Sequence, residues 1–384
     1  MRRSGSRDGL TALVLQGGGA LGAYQAGAYD ALAHAGREPD WLAGISIGAI
    51  NAALIAGNPR GRRVERLREF WQRVTAEVPS PAWAGRDGPL RAWANDWSAW
   101  WGAAFGLSAF FVPRLGAAPW PSRGGVPGWY DTDPLRRTLG ELVDFDLVND
   151  GPVRLSVGVV DVASGNFVYF DSRHQRLGPE HVMASGALPP GFPAVEIDGR
   201  AYWDGGLVSN TPLRHVIEQL DAAAATIFQV DLFSARGALP RTLAQVADRE
   251  KDIRYSSRTR ALTDMLRERH QLRLALRELL AQWPRGHRDT PRLQDLLGAL
   301  GSDRPEPTVT LVHLIHRHEG SETQTRDLEF SRDSMGEHWD AGRGDMLRAL
   351  RALDRAGPAA QPGEFRVFDA TAPTGPHAVP AGPP

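Results

Sequence analysis

The 384-residue chain contains no cysteine. That absence removes disulfide frameworks, thiolate nucleophiles and cysteine-bound zinc together, and it fits a reducing compartment. Lysine is almost missing too. Lys251 is the one lysine, so arginine carries the positive charge, and no glycine-rich loop has the lysine that a Walker-type phosphate site requires. Charge of one sign is not in excess, with 44 Lys plus Arg against 45 Asp plus Glu. Without a basic surplus to grip a phosphate backbone, nucleic acid is not an expected partner. Long apolar runs are lacking as well, since no stretch approaches the ~20 residues that span a bilayer, and contact with lipid is expected to be peripheral. The N-terminal segment is basic, but the apolar stretch behind it is broken at Gln16, which is not a signal-peptide pattern. The expectation is a cytoplasmic protein, peripheral at the inner membrane face, with residues 1–9 a disordered tail. No feature of the sequence sets an oligomeric state.

What is present is a succession of strand-to-helix units. Leu10 to Leu15 is a short apolar run, Gly17-Gly18-Gly19-Ala20-Leu21-Gly22 a loop, and Ala23 to Ala35 a small-residue helix. Trp41 to Ile45 leads into Ser46, and Ile47 to Ala56 is a second such helix, stopped by Gly57. Two units of this kind predict a parallel sheet covered by helices. Val64, Leu67, Phe70, Trp71 and Val74 give a surface helix with one buried stripe. Pro79 to Tyr130 breaks the regularity with glycine, proline and aromatics, and regular structure resumes at Asp133-Pro134, a cap followed by proline. Val153 to Val162 and Asn166 to Phe170 predict strands joined at Ser164-Gly165, and Val195 to Trp203 a hairpin turning at Asp198-Gly199, so the sheet should be mixed. Ala224 to Leu232 would complete a domain spanning residues 10–233. A mainly helical extension over residues 234–355 follows, with helix from Leu239 to Trp283, a strand at Thr308 to Ile315 and a last helix over Ser334 to Leu353. Residues 356–384, rich in Pro, Ala and Gly, read as a disordered tail apart from Glu364 to Phe368.

Gly44-Ile45-Ser46-Ile47-Gly48 is a G-x-S-x-G at a strand-to-helix turn, where small flanking residues let the serine hydroxyl stand clear of the packed layers. The plainer interpretation is a glycine-flanked helix cap. Gly17, Gly18 and Gly19, in the preceding strand-to-helix turn, offer amides to a developing negative charge, as an oxyanion hole does. The same loop also satisfies the dinucleotide fingerprint G-x-G-x-x-G, which makes nucleotide binding the rival function. That rival wants an acidic residue closing the second strand, whereas Glu38 and Asp40 precede the strand and Ser46 ends it. A nucleophilic serine needs a base, and one strand before the motif is too few for the α/β-hydrolase order. Downstream stands Tyr202-Trp203-Asp204-Gly205-Gly206, an aspartate at a strand end with two glycines leaving room around it.

These three elements in this order resemble the patatin-like phospholipase family, and the resemblance takes in Ala184-Ser185-Gly186-Ala187-Leu188-Pro189-Pro190 and Asn210-Thr211-Pro212, covering roughly Leu10 to Leu232. It implies a three-layer α/β/α fold with a central, mostly parallel sheet, and a Ser-Asp dyad in which Ser46 is the nucleophile and Asp204 the proton acceptor. Gly17, Gly18 and Gly19 would form the oxyanion hole, and Gly22, Gly44, Gly48, Gly205 and Gly206 would complete the motifs. The substrate would be a lipid or other carboxylic ester, with neither metal nor organic cofactor required. Many family members carry Arg or Lys where this chain has Leu21. The stretch from Lys251 to Arg260 resembles an extension found on a bacterial subset of the family. A catalytically silent scaffold is disfavoured, since both dyad positions are filled.

Two further features admit bland interpretations. His313, His316 and His318 cluster at a strand, but no cysteine or paired carboxylate accompanies them, so no metal site is expected. The tryptophans from Trp93 to Trp129 suit a core or a lid at a lipid interface equally well.

Overall fold

The computed structural model describes residues 9–75, 78–79, 88–114, 125–282, 291–299, 305–317, 325–370 and 377–378. The first eight residues, Trp120, Trp283, His318 and most of the segment after Ala370 lie outside the described residues, and so do the expectations of disorder placed on both ends.

β1 (Leu10–Leu15) enters the glycine loop and α1 (Gly22–His34); β2 (Trp41–Ile45) turns at Ser46 into α2 (Ile47–Ala56). β1 and β2 pair in parallel, with Leu13 opposite Leu42 and Leu15 opposite Gly44. Along β1 the side chains alternate: Leu13 and Leu15 join one core layer, Ala12 and Val14 the other. A strand apolar on both faces is what a sheet covered by helices on both sides demands. α3 (Arg63–Thr75) buries Leu67, Phe70, Trp71 and Val74 as their spacing predicts.

The segment read as irregular contains α4 (Pro89–Phe105), 17 residues long, followed by the short ribbon of β3 (Val112–Pro113) with β4 (Tyr130–Asp131). α5 (Asp133–Leu142) has Thr132, not Asp133, in the cap position, and α6 (Phe145–Asp150) is capped by the Asp144 carboxylate. Next come β5 (Arg154–Asp161), β6 (Phe167–Asp171), α7 (Pro179–Ser185), β7 (Val195–Ile197) and β8 (Arg200–Asp204). β5 pairs antiparallel with both β6 and β8, and β7 with β8. The β7–β8 turn has positive φ at Asp198 (51°) and Gly199 (74°), the tight hairpin expected there.

After α8 (Leu213–Glu218), β9 (Ala224–Asp231) lies on the far side of β1. The sheet does not stop there. Beyond α9 (Leu243–Gln282) and α10 (Pro291–Ala299), β10 (Thr308–Ile315) pairs with β9, and β11 (Phe365–Asp369) with β10, both in parallel. β12 (His377–Ala378) closes the edge antiparallel. The ten-stranded order is β12-β11-β10-β9-β1-β2-β5-β8-β7, with β6 also on β5. The expected end near Phe233 is therefore no edge, because β9 has a full register of partners from the following region.

α11 (Arg332–Ala356) crosses α1 backbone to backbone. A Cβ at Gly27 would strike the Trp339 carbonyl, and one at Gly342 the Tyr24 carbonyl. The crossing is pinned by Tyr24 Oη donating to Asp345 (2.6 Å) and Trp339 Nε1 donating to Asp30 (2.9 Å). α1, α2, α3, α7 and α11 thus cover one face of the sheet, and α8 and α9 the other.

Candidate active site

Ser46 sits between β2 and α2 at φ 55°, a left-handed conformation that a residue with a Cβ adopts only where its surroundings hold it. The surroundings are explicit. A side chain at Gly44 would collide with the backbone of Gly48, and one at Gly48 with the Leu15 carbonyl, so both flanking positions must be bare for the helix to start this close to the strands. The Ser46 amide donates to Ser185 Oγ (2.9 Å), which in turn donates to the Gly158 carbonyl (2.7 Å), tying the turn to α7 and β5. The Ser46 side chain makes no cap hydrogen bond to α2, which disposes of the cap interpretation.

Asp204 ends β8 and is 2% exposed, while Ser46 is partly open to solvent. The structure brings them near one another although 158 positions separate them: the Gly206 amide donates to the Asp204 carboxylate (2.7 Å), and the Ser46 hydroxyl lies close enough to favour its ionised form. Burial outweighs both of these neighbours and pushes the Asp204 pKa up to about 6. Gly205 is needed for close approach, since a Cβ there would come within 2.7 Å of the Gly158 carbonyl; a Cβ at Gly206 would stand 3.1 Å from the Asp204 carboxylate. Among the described residues no histidine is hydrogen-bonded to Asp204. His215 faces Asp171 at 3.3 Å, His181 caps α7 at the Gly178 amide, and His316 packs between Tyr24 and His338.

The glycine loop lies alongside. A Cβ at Gly17 would approach the Ser46 Cβ to 3.0 Å, so loop and serine are neighbours. Of the three amides expected to face a negative charge, that of Gly17 is already used: it donates to the Asn210 carbonyl (3.3 Å), while Asn210 Nδ2 donates to the Gly17 carbonyl (2.9 Å). Among the described residues the amides of Gly18 and Gly19 have no acceptor, and Gly19 takes φ 56°. Gly22 fits beneath Ile47 and Trp71, and Leu21 is fully buried, so no side chain reaches the site from that position.

Several residues supporting this arrangement carried no local signature. Gln16 is fully buried; its Oε1 accepts from the Leu232 and Phe233 amides (2.6 and 3.2 Å), and its Nε2 donates to Thr211 Oγ1 (3.2 Å). Thr211 also contacts Asp231, a second buried carboxyl with its pKa raised by desolvation, to about 7. Asn51 links Gly22, Gln25 and Trp71 behind the loop. The Ser185 and Asn210 segments were visible as motifs, but their hydrogen bonds were not.

The loop is not built for a dinucleotide. The Ala20 amide, in the turn just before α1, is taken by the Asp327 carbonyl (2.9 Å), which also stands against Gly19, where a pyrophosphate would have to lie. Glu38 is held by Tyr29 and Arg63 within the protein.

Comparison with known proteins identifies a family. The family described as patatin-like phospholipase matches residues 13–217, more than half of the chain, and a second, described as patatin phospholipase, matches residues 253–361. Among curated proteins nothing matches. Among solved structures, the crystal structure of VipD from Legionella pneumophila is similar at 13% identity over 90% of this chain and 67% of that one, with a TM-score of 0.39, a likeness too distant to carry an argument. On the family matches, the chain belongs to the patatin-like phospholipases, a family of lipid acyl hydrolases.

Proposed function

We propose that the chain hydrolyses carboxylic esters of lipids with Ser46 as nucleophile and Asp204 as its base. The observation that carries this is one buried carboxyl beside a serine held at positive φ, with no cation paired to it among the described residues. As Ser46 Oγ attacks the ester carbonyl, its proton passes to Asp204 and the oxygen of the tetrahedral intermediate takes the Gly18 and Gly19 amides. Collapse returns the proton to the departing alcohol and leaves an acyl-serine. Water, deprotonated by the same carboxylate, then releases the fatty acid. Two side chains thus supply nucleophile and base, and backbone amides the electrostatic stabilisation.

A lipid substrate is supported by the apolar rim beside the carboxylate. The Asp204 amide donates to Ala187 (3.0 Å), next to which Leu188 is exposed, and Leu207 and Val208 are exposed just after Gly206. α4 extends this surface, because its polarity is inverted. Arg91, Asn95 and Ser98 are buried, Arg91 reaching Ser334 and Glu337 on α11 (both 3.2 Å), while Trp93, Trp97 and Trp100 stack outward, 40–55% exposed. Tyr130 joins the two regions, donating its hydroxyl to Ala103 of α4 (2.8 Å) and its amide to Gly191 (2.9 Å). Aromatic side chains presented this way suit the headgroup region of a bilayer, which makes peripheral membrane contact part of the proposal. No described helix is long and apolar enough to cross one.

The deciding experiment is reaction of the full chain with a fluorophosphonate probe, followed by mass mapping. The expected adduct is on Ser46, lost in Ser46→Ala and strongly reduced in Asp204→Asn. Labelling elsewhere, or full labelling of the asparagine variant, would falsify the assignment.

A further inference from the structure

A cavity of about 1200 Å³ lies apart from Ser46 and Asp204, between the C-terminal ends of β9, β10 and β11 and the start of α9. Its chemistry is cationic. Arg236, Arg241, Arg249, Arg317 and Arg326 line it, against three carboxylates, Asp248, Asp252 and Asp369. Arg249 is used structurally, donating to the Ser234 carbonyl (3.2 Å) and to that of Ala235, and so holds the loop that forms one wall. Arg326 is different. It is 5% exposed, its Nη2 is paired with Asp252, and its guanidinium lies 5.9 Å from the centre of the Phe233 ring. Its Nε and Nη1, which carry three of the five guanidinium donors, have no hydrogen-bond partner among the described residues. Buried donors are ordinarily satisfied, and leaving those of a charged group unmade is costly, so a partner for them is missing.

We propose that this cavity binds a phosphate group, with Arg326 as its inner anchor and the exposed Arg241 and Arg317 closing on it from the rim. The arginines come from three places in the chain: the approach to α9, the end of β10 and the segment before α11. Guanidinium groups arriving from separate directions suit the several oxygens of a tetrahedral phosphate better than a planar carboxylate. The cavity also backs onto the glycine loop. Leu232 lines it and packs against Gly18, and Arg326 precedes Asp327, whose carbonyl holds the Ala20 amide. The phosphate has two sources of identical chemistry, the headgroup of a phospholipid and a free phosphate or phosphate monoester. The inference does not rest on the roles of Ser46 and Asp204.

Titration of the full chain with inorganic phosphate by calorimetry should show one saturable site that weakens as salt rises. Arg326→Met should lower the affinity about tenfold or more. Because that change also removes the guanidinium paired with Asp252, the exposed pair Arg241→Gln with Arg317→Gln serves as a second variant, expected to weaken binding severalfold while melting unchanged in phosphate-free buffer. Phosphate that competes with a short-chain phospholipid but not with a neutral short-chain ester identifies a headgroup subsite. Binding that competes with neither identifies a free-phosphate site. Absence of saturable binding, or affinity indifferent to both variants, overturns the inference. Fluorophosphonate labelling is measured on the same preparations: labelling without phosphate binding removes this inference alone, and phosphate binding without labelling removes the catalytic proposal alone.

Discussion

In the proposed reaction Asp204 would set the pH range of the chemistry. Its carboxyl must be ionised to take the Ser46 proton, and burial raises its pKa from 3.8 to about 6. kcat/KM on a soluble ester should therefore climb with a single ionisation through about pH 6; a profile flat from pH 5 to 8 would remove Asp204 as the base. The same shift has a stability consequence of fixed sign. A folded-state pKa above the unfolded one contributes stability that is fully present below pH 3.8 and lost as pH rises through 6, which places a cost of about 3 kcal/mol on the working, ionised enzyme. Asp204→Asn should abolish turnover yet raise the melting temperature at pH 8, with little change at pH 4, as calorimetry would show. Ser46 was legible because the residues that force its turn, Gly44 and Gly48, are two positions away. The engagement of the Gly17 amide was not, because its acceptor is the carbonyl of Asn210, which no local pattern brings near.

Among the elements, α4 shows how a helix hides from periodicity. Arg91, Asn95 and Ser98 recur at the same spacing as Trp93, Trp97 and Trp100, and the usual assignment puts tryptophan inside. What reverses it is the acidic face of α11, Asp333 and Glu337, some 240 residues later. Replacing Trp93, Trp97 and Trp100 together with alanine should cut hydrolysis of vesicle lipids far more than hydrolysis of a soluble short-chain ester. Equal losses on the two substrates would mean that this face does not meet the bilayer. The α1–α11 crossing makes a different demand. Gly342→Ala must push the two helices apart and should destabilise by ~1–3 kcal/mol in denaturant unfolding, with Gly27→Ala similar. A neutral effect would mean that the helices have room to separate. α1 itself was plain from its run of small residues; that it needs bare positions for a helix 300 residues away was not.

At the scale of the whole molecule, the central strands were readable because each follows a turn of distinctive chemistry and is apolar on both faces. Where the sheet ends was not readable. β9, which looked like a last strand, is interior, and the partners that make it so are contributed by residues 308–315 and 365–369. A chain ending at residue 233 would present β9 as a bare edge, and should aggregate rather than fold to a smaller hydrolase. Extending the chain to residue 300 should not rescue labelling of Ser46 by a fluorophosphonate, whereas a chain ending at residue 378 should be labelled like the full-length protein.

The hydrogen bond from the Ala20 amide to the Asp327 carbonyl has a consequence in time. Synthesis runs from the N-terminus, so the serine and its carboxylate leave the ribosome long before residue 327 does. Until then the glycine loop lacks the carbonyl that braces it, and β9 lacks its neighbour. On the proposed mechanism, a growing chain therefore carries both reacting groups before the segments that brace them exist, and turnover should begin only once residue 327 has joined the fold.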